Sequence, residues 1–400
     1  MSRHLRPVGA VAFVVSTSVL VTLGVVGPAS ADNYPTWDQV LAAQQDEAAT
    51  KAEIATIETV LAGLQSQADA LGREAERKNE AYNVAREDLA AASLTAKDLR
   101  AQLAEAERRA ADSSRRAGQL MAQLARTGGG SVTLDLIFKA NPDNLLSSLG
   151  TVSKLSEQAS AIYRQASQDA NQAKALGAQA DIAEKKRAEL ALAAQKAHDL
   201  AQAAADAALT KVNDQKAAAD TMYAQLATLK GTTATLEAGY QAGLTAAQAA
   251  AAQPPPPPTP PVSPNPPPPA PNSSAVATAL AFAYAQLGKP YEFAGSGPGS
   301  WDCSGLTKAS YAAAGVYIGS HHVTNQYFTM ANEGRLVPLS QMVPGDLIFY
   351  GDGGSSDSLY HVTMYVGNGQ MIEAPYEGVP VRVTGVRYYD VLAYAGRPTP

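Results

Sequence analysis

A chain of 400 residues with a net charge of −6 and 46% hydrophobic residues has room for two or three domains. No segment carries a basic excess of the kind that attracts a phosphate backbone, which argues against nucleic acid as a partner. With one cysteine the chain cannot close an internal disulfide.

Residues 1–31 read as a secretory signal peptide. Arg3, His4 and Arg6 form a charged start, 8–26 is mostly apolar, and Ala29-Ser30-Ala31 is a small-residue cleavage site. This predicts a secreted protein acting at the cell wall, outside the cytoplasm. The alternative is an uncleaved anchor helix, because the apolar run is nearly long enough to span a bilayer. A lone thiol in an exported chain points to a reactive cysteine.

Residues 32–253 are expected to form a long antiparallel α-helical coiled-coil hairpin. One helix is predicted from about 36 to 126. Its apolar positions, from Ile54, Ile57, Leu61 and Leu64 to Leu120 and Leu124, alternate three and four apart, with only Lys78 and Ser113 polar on the seam. The many alanines permit close approach but bury little area per layer. A tip insert near 128–150 follows the three glycines Gly128, Gly129 and Gly130. Within it, Leu134, Leu136, Ile137 and Phe138 form either a docking site or a small local cap. Pro142 is expected to open a short helix. A second long helix should run from about 151 to 250, with a seam at Leu155, Ala159 and Ile162 and again at Val212, Met222, Leu226 and Leu229. At about 1.5 Å per residue each arm reaches on the order of 100 Å. Residues 254–271 are a proline-rich linker, a semi-rigid spacer of roughly 55 Å at about 3.1 Å per residue.

Residues 272–400 pattern as helices followed by strands, an α+β domain with an antiparallel sheet. Helices are predicted over 275–287 and from Cys303 to about 314, and strands over 346–350, 361–366, 370–374, 379–383 and 391–395. Trp301-Asp302-Cys303-Ser304-Gly305-Leu306 puts the thiol at a helix N-terminus, where the helix dipole favours the thiolate. His361 shares one strand face with Thr363 and Tyr365. The turn Gly367-Asn368-Gly369 returns the chain so that Glu373 can stand beside His361. Each residue alone has a bland reading: a structural cysteine, an ordinary strand histidine, a solvated carboxylate. Together they supply a nucleophile, a base and a group that orients the base, the equipment of a cysteine peptidase. The backbone N–H of Cys303 is an oxyanion donor, and the Tyr291 hydroxyl is either a second donor or plain core. Asp302 can cap the helix. The loop holding Asp352 and Asp357 offers too few carboxylates for calcium.

Asp302-Cys303-Ser304-Gly305-Leu306, then His361-Val362, then Glu373, resembles the NlpC family of papain-like cell-wall endopeptidases. Gly288-Lys289-Pro290-Tyr291-Glu292-Phe293-Ala294-Gly295 is similar to the family's Gly-x-Pro-Tyr-x-Trp-Gly-Gly segment, with Phe293 and Ala294 departing from it. Pro344-Gly345-Asp346-Leu347-Ile348-Phe349-Tyr350 is similar to another family segment. The resemblance covers about 125 residues at the C-terminus. A Glu in the third catalytic position is similar to the Rip-type enzymes of actinobacteria. The resemblance implies cleavage of peptidoglycan stem peptides between D-γ-glutamyl and meso-diaminopimelate, with no metal and no cofactor. It implies that Asp302 and Ser304 contact the stem peptide, and that His321 or His322 lines the groove. It also implies control at cell division by a membrane transporter-like complex that grips the coiled coil. A competing reading is a non-catalytic cell-wall-binding activator or scaffold, and a third keeps the site for another acyl transfer.

Overall fold

The computed structural model describes residues 37–44, 46–126, 142–251 and 272–399. The signal peptide expected over 1–31, the apolar stretch 134–138 and the proline-rich linker over 254–271 lie outside the described residues.

Helices α1 (Trp37–Ala43) and α2 (Glu47–Arg126) make the first arm, α3 (Pro142–Lys230) and α4 (Ala234–Ala251) the second. The arms are antiparallel. Ile57, Leu61 and Leu64 bury against Met222 and Leu226, Ala68 clusters with Val212, and Arg100 pairs with Glu184 farther out. Toward the far end most buried positions are alanines, among them Ala96, Ala106, Ala180 and Ala194. Both arms differ from the expected single helices. The first is two helices, α1 ending at Ala43 and α2 starting at Glu47, where the Asp46 carboxylate accepts from the Ala48 N–H at 2.7 Å and caps α2. The second starts at Pro142, whose fixed φ suits a first helical position, and runs on through Gly150, so the short separate helix is absent. It stops where Gly231 takes φ +65, a left-handed helix end.

The C-terminal domain has helices α5 (Ser273–Tyr284), α6 (Cys303–Ala313) and α7 (Val323–Asn332). Its strands are β1 (Leu336–Pro338), β2 (Leu347–Gly351), β3 (Leu359–Gly367), β4 (Gln370–Glu373), β5 (Arg382–Gly385) and β6 (Tyr394–Gly396). They form one antiparallel sheet in the order β1-β6-β2-β3-β4-β5. Alternation along β3 sends Val362 and Met364 to the main core with Leu306, Tyr311 and Met330, and Tyr365 to the other face. A register slip between Leu359 and His361 turns Tyr360 to that second face as well, where it packs with Ile348, Tyr350 and Met371. The β3–β4 turn is the expected one, with Asn368 at φ +53 and Gly369 at φ +69.

This domain sits against both arms of the hairpin. Gly72 of α2 lies under the Tyr376 ring, so close that a Cβ would overlap it. Tyr376 also packs with Ala68 and Val212, and its hydroxyl donates to Asp69 Oδ1 at 2.8 Å. Phe293 sits with its ring 4.9 Å from that of Tyr82 and 5.5 Å from that of His198, so a family departure noted in the sequence is a hairpin contact.

Candidate active site

Cys303 is the first residue of α6. Asp302 caps that helix, its Oδ1 accepting from the Gly305 N–H at 2.6 Å. His361 is fully buried on β3, and its Nε2 is 3.0 Å from Glu373 Oε2. The register places them together: Met364 pairs with Ile372 and Tyr365 with Met371, so Glu373 lies diagonally across from His361 on the same face. Two further residues hold Glu373 that the sequence reading missed. Arg382 Nε donates to Oε1 at 3.1 Å and Arg387 Nη1 to Oε2 at 2.7 Å. Burial alone would raise the Glu373 carboxyl, but Arg387, the His361 hydrogen bond and Arg382 outweigh it and hold it well below the usual carboxylate range. Glu373 is therefore ionised and fixed in place.

The remaining expected residues cluster at the same point. Ser304 Oγ donates to Asp302 Oδ1 at 3.2 Å, and His321 Nε2 lies 2.9 Å from the same oxygen. Arg86 Nη2 contacts His321 Nδ1 at 2.9 Å; since arginine only donates, His321 carries its proton on Nε2 and gives it to Asp302. Burial would raise the Asp302 carboxyl, but His321 and the Gly305 N–H more than offset this and lower it. Tyr291 is buried in the core beside Trp301, and burial followed by the nearby Asp302 and Cys303 pushes its hydroxyl up.

The groove is covered by a polar stripe of α2, which the sequence reading did not single out. His361 Nδ1, the nitrogen left to face a thiol, is 3.1 Å from Glu76 Oε1. Asn79 Nδ2 and Asn83 Nδ2 each donate to Asp302 Oδ2 at 3.2 Å, and Asn79 Oδ1 accepts from the Ala294 N–H at 3.1 Å. Ala294 holds φ +55, a conformation glycine adopts more readily, so the second family departure carries backbone strain at this contact. Glu80 accepts from the start of α7, and Glu87 accepts from the Ser320 hydroxyl at 2.7 Å. Glu76, Asn79, Glu80 and Asn83 are all buried.

The stripe reverses one expectation. The helix N-terminus was expected to favour the Cys303 thiolate. Here burial, then the charges of Asp302, Glu76 and Glu80, push the thiol well above its ordinary range, and the Val362 backbone N–H counters only in part. In this arrangement Cys303 is a protonated, buried thiol. Glu76 is itself raised by burial, against the pull of His361 and Arg387. Among the described residues no cluster of three or more His, Cys, Asp or Glu could hold a metal ion, and no helix is long and apolar enough to cross a membrane.

Residues 288–393 match the NlpC/P60 family. Peptidoglycan endopeptidase RipA of Mycobacterium tuberculosis is 43% identical over 126 residues, 28% of this chain and 25% of RipA. Peptidoglycan endopeptidase RipB of the same species is 38% identical over 126 residues, 28% of this chain and 48% of RipB. The chain thus spans about a quarter of the length of the one relative and about half of the other. The crystal structure of a P60 domain from M. avium subspecies paratuberculosis is 35% identical, covering 32% of this chain and 97% of that one, with a TM-score of 0.28.

Proposed function

We propose that this chain, which carries an NlpC/P60 domain homologous to RipA and RipB at its C-terminus, is an exported peptidoglycan endopeptidase held inactive by its own coiled-coil hairpin. Cys303 Sγ attacks the scissile carbonyl while His361 Nδ1 takes the thiol proton. The oxyanion forms against the Cys303 backbone N–H, with the Tyr291 hydroxyl as second donor. Collapse to the thioester passes the proton from His361 to the departing amine. Water, deprotonated by His361, then releases the new carboxylic acid and restores the thiol. Glu373 holds the imidazole by Nε2–H throughout and stabilises its charged form. The substrate is the stem peptide, cut between D-γ-glutamyl and meso-diaminopimelate, during wall remodelling and daughter-cell separation. Asp302 and Ser304 receive the peptide once the hairpin leaves, and a membrane protein complex gripping the hairpin draws it away.

The observation that carries this reading is His361 held between Glu373 at 3.0 Å and Glu76 at 3.1 Å. The first contact is what a catalytic base needs. The second puts a carboxylate beside the nitrogen that would take the thiol proton, and supports restraint from within the chain. Digestion of purified muropeptides, with products identified by mass spectrometry, tests it. A chain carrying Glu76→Ala should yield products cut at the D-γ-glutamyl bond, and Cys303→Ala in that background should yield none. Equal product from the Cys303→Ala chain would overturn the mechanism. No product from either, with wall binding intact, would favour a scaffold.

A further inference from the structure

Glu373 offers its two oxygens to two different sets of donors. Arg382, its cross-strand partner on β5, places both Nε, at 3.1 Å, and Nη2, at 3.0 Å, on Oε1. Arg387 Nη1 donates at 2.7 Å to Oε2, the same oxygen that His361 Nε2 meets at 3.0 Å. The two arginines also differ in setting. The Arg382 side chain is 38% exposed and that of Arg387 only 18%. The Arg387 guanidinium lies over the Tyr350 ring, 5.0 Å from its centre. Tyr350 on β2 is the register partner of His361, and their rings are 5.7 Å apart. The contacts close a circuit from His361 through Glu373, Arg387 and Tyr350 back to His361.

The circuit limits how the carboxylate can turn. An arginine fork matches a carboxylate best with one N–H on each oxygen. Arg382 has both donors on one oxygen, so rotation of an untethered Glu373 carboxylate would give it that two-point pair and draw Oε2 away from His361. Arg387 occupies Oε2 and opposes the turn. We infer that Arg387 is a positioning residue for the peptidase reaction, one that acts through Glu373 to hold the imidazole by Nε2 and so keep Nδ1 free for the thiol. The inference rests on the endopeptidase reading above. A lysine in this place would keep a point charge but lose both the planar fork and the stacking on Tyr350.

The test uses the full chain opened by Glu76→Ala and steady-state hydrolysis of purified muropeptides. Arg387→Ala should lower kcat at least tenfold and leave KM within twofold, because an orienting contact is lost and no substrate contact. Arg382→Ala should cost less, and Arg387→Lys should fall between Arg387→Ala and the parent. Millimolar methylguanidinium, taking the vacated place over Tyr350, should raise kcat of Arg387→Ala by about threefold or more and leave Glu373→Ala unchanged. Equal kcat for Arg387→Ala and the parent overturns the inference and leaves the peptidase reading standing. So does a loss carried by KM, a loss from Arg382→Ala as large as that from Arg387→Ala, or a loss that neither lysine nor methylguanidinium relieves. If Arg387→Ala does not fold, Arg387→Lys decides alone, and a kcat equal to the parent's overturns the inference. No turnover by the parent overturns both readings together.

Discussion

Helix α2 makes two buried contacts of opposite character. Around Ile57, Leu61 and Leu64 it meets Met222 and Leu226 through an apolar cluster, with Glu58–Lys230 and Gln65–Gln215 pairs at its edge. About three to five turns farther along, Glu76, Asn79, Glu80 and Asn83 meet the candidate groove through carboxylates and amides. Each fully buried Leu, Ile or Met contributes about 1.5–3 kcal/mol that is lost outright when water enters. A hydrogen bond nets about 0.5–1.5 kcal/mol, or about 1.5–3 kcal/mol to a charged group, but its partners can pair with water when they part. The first contact therefore holds the hairpin together, and the second is of the kind that can open and close. On the proposed reading, one helix serves as both spine and stopper.

The largest effect should come from breaking the site beneath the stopper. In a chain opened by Glu76→Ala, Glu373→Ala should lower kcat by about 10²–10⁴-fold, and adding it to His361→Ala should cost little more, because the two act as one unit. Losses that multiply in steady-state assays would separate them.

Next in size is a wedge between the two regions. Gly72→Ala places a Cβ inside the Tyr376 ring, while alanine favours the helix by about 1 kcal/mol. Muropeptide hydrolysis by the full chain should rise at least tenfold, with the melting temperature of the hairpin equal or higher. Unchanged activity in a folded variant would mean that the docking of α2 does not depend on that close approach.

The smallest effect is on pH dependence. Glu373 is lowered in the folded chain, so its contribution to stability is present above the unfolded value near 4.5 and is lost as pH falls through the folded one. Urea unfolding should show a steeper loss between pH 5 and about 3 for the natural chain than for Glu373→Gln. Parallel losses would assign the acid sensitivity to other carboxylates.

Much of this was legible in the sequence because it is local. A thiol after an Asp that caps a helix, and a histidine and a glutamate on either side of a Gly-Asn-Gly turn, are fixed by a dozen neighbouring residues. The three-and-four spacing likewise revealed the arms. The stopper was not legible, since Glu76, Asn79, Glu80 and Asn83 on a long helix look like any solvated face. Their partners Asp302 and Val323 lie more than two hundred residues away. Arg382 and Arg387 were missed for a similar reason, since nothing near them in the chain signals a buried carboxylate. The thiol's raised pKa follows from burial and the adjacent Asp302, with Glu76 and Glu80 of the stopper adding to it. Short elements such as β1 and α7 lack the length for a clear period, and the start of α2 at Asp46 and the stop at Gly231 are settled by single caps.

Because Cys303 is the only cysteine, its alkylation by iodoacetamide reports the cover directly and needs no substrate. The second-order rate constant at pH 7 should be compared for the chain from residue 32 onward and for the same chain with Glu76→Ala and Gly72→Ala. A buried thiol beneath three carboxylates predicts slow alkylation in the first and at least a tenfold rise in the second. Equal and rapid alkylation of both would contradict the claim that α2 restrains the site.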